Sequence, residues 1–429
     1  VNIKLADNSS NADSPLERPV NNDEIAWIGS LLNISAIFGP FIGGLAAAKI
    51  GRKWAVLSSI VPYFVGWVLA AAATSVAYLY TVRIFWGIAI GMLFAICPMY
   101  CAEISTNESR GAVGSFLQVF ISIGFLLVYG IGPFTTYSVI IYVGIAVVAV
   151  FAITFYFMPE TPTYYLLKGD REAAANSLCI IRGKSRSAVE AELKLIDADV
   201  TASQEKTATV RDIFRGSNFK AFYISCALVF FQQFSGINAV LFYMTEIFEA
   251  SGADLDASIA TIIVGVVQLI ASFMTPFVVD RLGRRILLLV STFGTAIGLA
   301  LLGTFFLLYN NENEIVDSIS FLPILSLVLF VVTYCWGLGP LPWAVMSELF
   351  PLEVKVVASP IATAFHWVLS FLVTYFFPSI SASIGMHVCF FIFTVCCVCA
   401  FFFTLFLVPE TKGKSFLEIQ EMLGGRSAG

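Results

Sequence analysis

Long stretches without a single charged side chain constrain this chain more than any other feature. They cover residues 25–48, 54–82, 84–102, 111–158, 221–245, 257–279, 286–311, 318–347 and 356–408. About 20 apolar residues cross the hydrocarbon core of a bilayer, so each run is long enough to span and the longest hold two spans. Residues 111–158 turn near 130–138, and 356–408 fold back near 378–387. Residues 54–102 turn near Thr74-Ser75, which leaves Arg83 inside a span. The pattern predicts eleven membrane-crossing helices, an all-α membrane protein. Composition agrees: with 58% hydrophobic and 12% charged residues, a chain of 429 residues has more apolar surface than a water-soluble fold can cover.

Charge sidedness sets the orientation. Of the 24 Lys and Arg residues, Lys4 and Arg18 lie on the N-terminal segment and Arg83 in the outer part of a span; the others fall on the opposite face. The connections near Ser75, Thr136, Gly252, Asn311 and Ser383 carry none. The positive-inside rule makes the crowded face cytoplasmic. A multi-pass plasma-membrane protein is expected, with residues 1–24 extracellular and the C-terminus inside. Such an N-outside start implies an earlier span before residue 1. Asn8, in Asn8-Ser9-Ser10, is a candidate glycosylation acceptor on the outer segment. None of the nine cysteines lies on an outer loop, so a disulfide framework is not supported. There is no nucleotide loop, metal-ligand spacing or nucleophile arrangement. Neither an enzyme nor a metal, cofactor or nucleic-acid partner is expected, and the chain is read as a monomer.

Polar residues inside the spans carry the functional signal. Gln232-Gln233-Phe234-Ser235-Gly236-Ile237-Asn238 sits within the run 221–245. Hydrocarbon offers amides no water, so these groups must face protein or a wet cavity. A lone polar residue usually bonds helix to helix; a dense amide cluster beside a glycine points to a hydrogen-bonding site for a solute. Gln118 and Gln268 stand alone in other apolar runs. Gly337-Leu338-Gly339-Pro340-Leu341-Pro342-Trp343 breaks another span, and such breaks occur where backbone lines a cavity. Arg83 has two readings, snorkelling to the interface or pairing with a functional partner. Gly39, Gly43 and Gly44 give the first span a small-residue packing face.

Three pairs of motifs recur in order. Gly51-Arg52-Lys53 returns as Gly283-Arg284-Arg285, 232 residues on. Glu103 with Arg110 returns as Glu348 with Lys355, 245 on, and Pro159-Glu160-Thr161 as Pro409-Glu410-Thr411, 250 on. The near-constant offset indicates two homologous halves. The expected organisation is an N-terminal half at 25–158, a cytoplasmic linker with short helices at 171–181 and 187–200 within 159–220, a C-terminal half at 221–408, and a tail at 409–429. Six spans follow the second starting point and five the first, so the first of twelve is missing. Parallel six-span halves around a central site are the major facilitator architecture.

These motifs, with Asp-Arg-Leu-Gly-Arg-Arg at 280–285 and Pro-Glu-Thr-Pro at 159–162, resemble the sugar porter family of the major facilitator superfamily. The likeness is greatest to animal, insect-like facilitative glucose and trehalose carriers. It implies that Gln118, Gln232, Gln233 and Asn238 hold sugar hydroxyls with help from Trp343. Gln268 and the pair His366-Trp367 stand where the family often has Asn and Asn-Trp. Amides suit hydroxyls because they offer donors and acceptors without charge, and an indole face suits the C–H side of a sugar. Arg52, Glu103, Arg110, Glu160, Asp280, Arg284, Arg285, Glu348, Lys355 and Glu410 gather at cytoplasmic helix ends. Pairing between the halves would make them a gate. Some positions depart from the family pattern: Thr163 and Lys355 replace Arg, Cys335 a frequent Glu, and Ala48 an acid found in some members. The expected activity is facilitated passage of a neutral sugar, hexose or trehalose. Proton–sugar symport would need a titratable carboxylate within the membrane, and no mid-span Asp or Glu is visible; a sugar sensor is the third reading.

Overall fold

A computed structural model describes residues 20–106, 110–205, 209–251, 256–350, 352–412 and 416–424, together with residues 16 and 414. The described residues form helices and no strands. Among the described residues, eleven helices are long and apolar enough to cross a membrane. They are α1 (Asp23–Ile50), α2 (Arg52–Ala71), α3 (Val76–Ile104), α4 (Phe116–Phe134), α5 (Tyr137–Tyr156) and α6 (Gly216–Phe242). The others are α7 (Ala257–Val279), α8 (Arg284–Asn310), α9 (Leu322–Leu349), α10 (Val357–Ile384) and α11 (Met386–Leu407). Span number and turns follow the charge-free runs: the α4–α5 turn falls at 132–136, the α10–α11 turn at Gly385, and Arg83 lies within α3.

The chain divides into two compact units. One contains residues 1–114, 136–210 and 352–368; the other contains 115–135, 211–351 and 369–429. In the first, α3 packs against α1 and α2, and α2 against α5. Glycine makes the α1–α3 approach close: a Cβ on Gly39 would lie 2.4 Å from the Gly91 backbone, and one on Gly43 3.1 Å from Met92. Gly44, expected on the same face, meets nothing within 4 Å. It points away because its rotation of about 100° from Gly43 carries it off the contact stripe. The start of α1 is closed by a capping box in which Asn21 accepts from the Glu24 N–H at 2.7 Å and Glu24 accepts from Asn21 N at 3.0 Å. Arg83 lies with its guanidinium carbon 5.7 Å from the centre of the Trp86 ring, so an aromatic face meets this in-span charge.

The first unit also carries the helices Pro162–Leu167, Arg171–Arg182 and Arg186–Glu205. Leu166, Ala174, Ala175, Leu178, Val189, Leu193 and Val200 form a small core of their own beneath them. The charged sequence there predicted short helices; these helices share a core of leucine, valine and alanine side chains. In the second unit, α8 packs against α9 and α11, and α7 against α9.

Candidate functional site

In the second unit, two broken spans meet. The first part of α6 ends at Gln233, and the chain turns through Gly236 at φ +78° before the helix Ile237–Phe242 resumes. Only glycine enters this left-handed region freely. A Cβ there would also lie 2.4 Å from the Phe393 ring. Gly236→Ala is therefore expected to destabilise the protein by roughly 2–3 kcal/mol, from backbone strain plus overpacking. Thermal unfolding in detergent checks this, and an unchanged melting temperature would refute it. The helical part of α9 that begins at Leu322 ends at Trp336, and the helix restarts at Leu341. Gly337 brings the chain so near α8 that a Cβ would fall 2.2 Å from Ser291 Cβ, and the Ser291 hydroxyl accepts from Leu338 N at 2.9 Å.

Carbonyls freed by the second break are taken up by the first. Gln232 Nε2 donates to Leu338 O and to Gly339 O, both at 2.8 Å. Two carbonyl partners fix the amide orientation, because only its NH2 group can donate. The opposite atom, Gln232 Oε1, is buried and has no hydrogen-bond partner, and the Tyr334 side chain lies within reach of the same amide. Of the Gln232 amide, expected to hold sugar hydroxyls, the donor side is committed to backbone and the acceptor side remains. Gln268 Oε1 on α7 is likewise buried and unpartnered. Asn238 Nδ2 donates to Gln233 Oε1 at 2.5 Å and to Ser370 Oγ at 2.7 Å, so these two amides orient one another.

Gln118 and Ser122 share a face of α4, four residues apart, as Gln268 and Ser272 share one of α7. A hydroxyl–hydroxyl bond of 2.8 Å between Ser122 and Ser272 brings those faces together. Ser272 also reaches Cys335 Sγ at 3.6 Å. Trp343, half-buried, follows the α9 break. Six of the eight expected residues thus lie in one unit: Gln118, Gln232, Gln233, Asn238, Gln268 and Trp343. His366 and Trp367 fall in the other, where Trp367 packs edge-on to His366 at 5.0 Å and to Phe94 at 5.2 Å between ring centres. The Trp367 indole N–H is buried without a partner. Sequence reasoning missed Ser122, Ser272, Ser291, Ser370 and Tyr334. For Ser122 and Ser272 the available signal was their position one turn from an expected amide.

The charged helix ends show one device built twice. In the first unit, Arg52 Nε lies 3.1 Å from both Glu103 oxygens, and Nη2 makes a 3.1 Å ion pair with Oε1. The Glu160 carboxylate accepts from Arg52 N at 3.0 Å, Lys53 N at 3.0 Å and Thr161 N at 2.8 Å. It caps α2, as a carboxylate at a helix N-terminus should. In the second unit, Arg284 Nη2 pairs with Glu348 Oε1 at 3.0 Å, and Glu410 accepts from Arg284 N and Arg285 N, both at 3.0 Å, capping α8. Burial alone would raise the Glu410 carboxyl, but the backbone N–H groups of Lys412, Arg284, Arg285 and Thr411 hold it below the usual carboxylate range. Arg285 Nη2 donates to Leu405 O, and Thr411 Oγ1 to Glu348 Oε2, both at 2.5 Å.

A gate had been expected from pairing between the halves. The ion pairs of these residues that the structure describes join groups within one unit, because each Arg follows a glycine linker that aims it at the next span of its own unit. Lys355 is half-buried and has further interactions. The side chains of Arg110 and Asp280 lie outside the described residues, as does Asn8. Among the described residues no cluster of His, Cys, Asp or Glu could hold a metal ion.

A family model described as "Sugar (and other) transporter" matches residues 4–423. The facilitated trehalose transporter Tret1 of Culex quinquefasciatus is 37% identical over 412 residues, covering 95% of this chain and 79% of that protein. The Tret1 protein of Polypedilum vanderplanki is also 37% identical, covering 95% of this chain and 81% of that protein. Among solved structures, the major facilitator proton:xylose symporter XylE bound to 6-bromo-6-deoxy-D-glucose aligns with a TM-score of 0.78 at 28% identity. That alignment covers 94% of this chain and 90% of XylE.

Proposed function

Because the chain belongs to the sugar transporter family of the major facilitator superfamily, we propose that it carries a neutral sugar passively across the membrane, with trehalose or a hexose as passenger. The observation that carries this reading is the pair of buried, unpartnered amide oxygens, Gln232 Oε1 and Gln268 Oε1. A buried acceptor left unpaired costs about 1–3 kcal/mol. A hydroxyl-rich, uncharged solute removes that cost, whereas an anion would meet oxygens rather than donors. The Asn238–Gln233–Ser370 group adds hydroxyl-compatible partners in the same unit. The names of the insect relatives favour trehalose, a disaccharide, among neutral sugars.

The gate belongs to this proposal in altered form. Arg52–Glu103 and Arg284–Glu348 hold the ends of neighbouring spans so that each unit moves as a body, and Glu160, Glu410 and Arg285 fasten the adjoining loops. Arg110, Asp280 and Lys355 complete the charged face. We place that face in the cytoplasm, residues 1–24 and the Asn8 acceptor outside, and the carrier in the plasma membrane as a monomer. Counterflow into liposomes by the purified protein, comparing trehalose, glucose and fructose, tests the reading. Saturable exchange of at least one sugar is expected, at a final level unchanged when the proton gradient is collapsed. Absence of exchange with all three overturns the sugar assignment; a fall in accumulation on collapse establishes symport instead.

A further inference from the structure

The segment leading into α6 carries none of the residues proposed to hold sugar. Residues 211–223 run from the short helix Val210–Ile213 into the first turns of α6. Ile213 is buried, whereas Phe214 is 61% exposed, Phe219 47% and Tyr223 52%. The Phe214 ring lies 6.2 Å from that of Phe219 and 6.3 Å from that of Phe222. It therefore extends the outward face of the span beyond the span's own start, since Phe219 and Tyr223 are four residues apart on one helix face. Three exposed cations interleave with these rings: Arg211, Arg215 and Lys220. The one acid among them, Asp212, pairs with Arg215 at 3.0 Å and gives its backbone carbonyl to Asn218. Among the described residues, neither Arg211 nor Lys220 forms an ion pair.

Aromatic rings flanked by cations at the end of a span lie at headgroup depth, rings toward the acyl chains and charges toward phosphate. We propose that residues 211–220 form a binding site for anionic phospholipid headgroups. Phe214 and Phe219 enter the acyl boundary, and Arg211, Arg215 and Lys220 face the phosphates and carboxylates. The occupant is lipid rather than a protein because the exposed strip runs on to Tyr223, within a helix long and apolar enough to cross a membrane. A zwitterionic lipid would satisfy the rings but leave the cation surplus unanswered. The proposal rests on placing this end of α6 at the cytoplasmic leaflet, where acidic lipids concentrate.

The test uses the purified full chain in nanodiscs made from equal parts phosphatidylcholine and phosphatidylserine, with retained lipids counted by native mass spectrometry. The wild type is expected to retain phosphatidylserine preferentially. Arg211→Gln, Arg215→Gln and Lys220→Gln combined should abolish the preference, each single change lowering it roughly fivefold. Phe214→Ser with Phe219→Ser should reduce retention of both lipids. If the triple variant does not fold, the single variants Arg211→Gln and Lys220→Gln decide. Equal lipid ratios in wild type and variants overturn the proposal. Nanodiscs expose both faces, so the ratio does not depend on sidedness. Failed sugar counterflow by the wild type would remove the transport reading and leave the lipid ratio standing.

Discussion

Gln232→Leu is expected to lower sugar exchange by roughly one to two orders of magnitude while the protein still reaches the membrane. Leucine matches glutamine in bulk but removes both ends of the amide at once. The donor end leaves Leu338 O and Gly339 O without the Nε2 partner that each has at 2.8 Å. The acceptor end removes an oxygen free to pair with a solute hydroxyl. Each stranded or missing bond in a buried site is worth about 1–3 kcal/mol, enough for the stated loss. The two contributions separate by comparison with Gln268→Leu, which removes the other unpartnered oxygen on α7. If sugar contact dominates, both variants raise KM with little change in melting temperature. If the backbone break dominates, only Gln232→Leu melts early. Unchanged exchange in both would remove the site assignment.

Removing the Arg52 side chain is expected to cost roughly 3–5 kcal/mol of stability, because it strands a carboxylate in a largely closed environment. The Arg52 and Glu103 side chains are only 9% and 15% exposed, and the contact uses both Glu103 oxygens. The Glu160 cap acts on the Arg52 backbone N–H, so Arg52→Ala leaves it in place. The double variant Arg52→Ala with Glu103→Ala should therefore lose less than Arg52→Ala alone, since no uncompensated charge remains. Chemical or thermal unfolding of the three proteins in one detergent measures the difference. A double variant less stable than the single one would show that the residues act independently.

Span number and turns were legible because the bilayer admits only long uncharged helices, and 58% hydrophobic residues leave few other arrangements. The repeated charged motifs were legible as a pattern but not as a set of partners. Spacing tells which helix end a residue occupies, whereas the distance from Arg284 to Glu348 depends on how Gly283, at φ +87°, aims the chain. Glu160 and Glu410 were read as gate charges, yet both accept from backbone N–H groups. Nothing in a linear string distinguishes a carboxylate that meets a side chain from one that meets a helix start. The amide cluster at 232–238 announced a polar site, but that Gln232 faces the α9 break follows only from the packing of two interrupted helices. Hydroxyls were the least legible. Ser122 reaches Ser272, while the Thr292 hydroxyl merely donates to Leu288 O one turn back, and the two look alike in sequence.

The caps have a consequence for biosynthesis. The residue that completes the beginning of α8 lies 126 positions further along, at Glu410, and the one that completes α2 lies 108 positions further along, at Glu160. Neither helix can be sealed when it first enters the lipid from the ribosome. Until its later carboxylate emerges, water at the membrane face must serve the first amide groups of each helix, so the cap can form only after the Pro-Glu-Thr segment has been made.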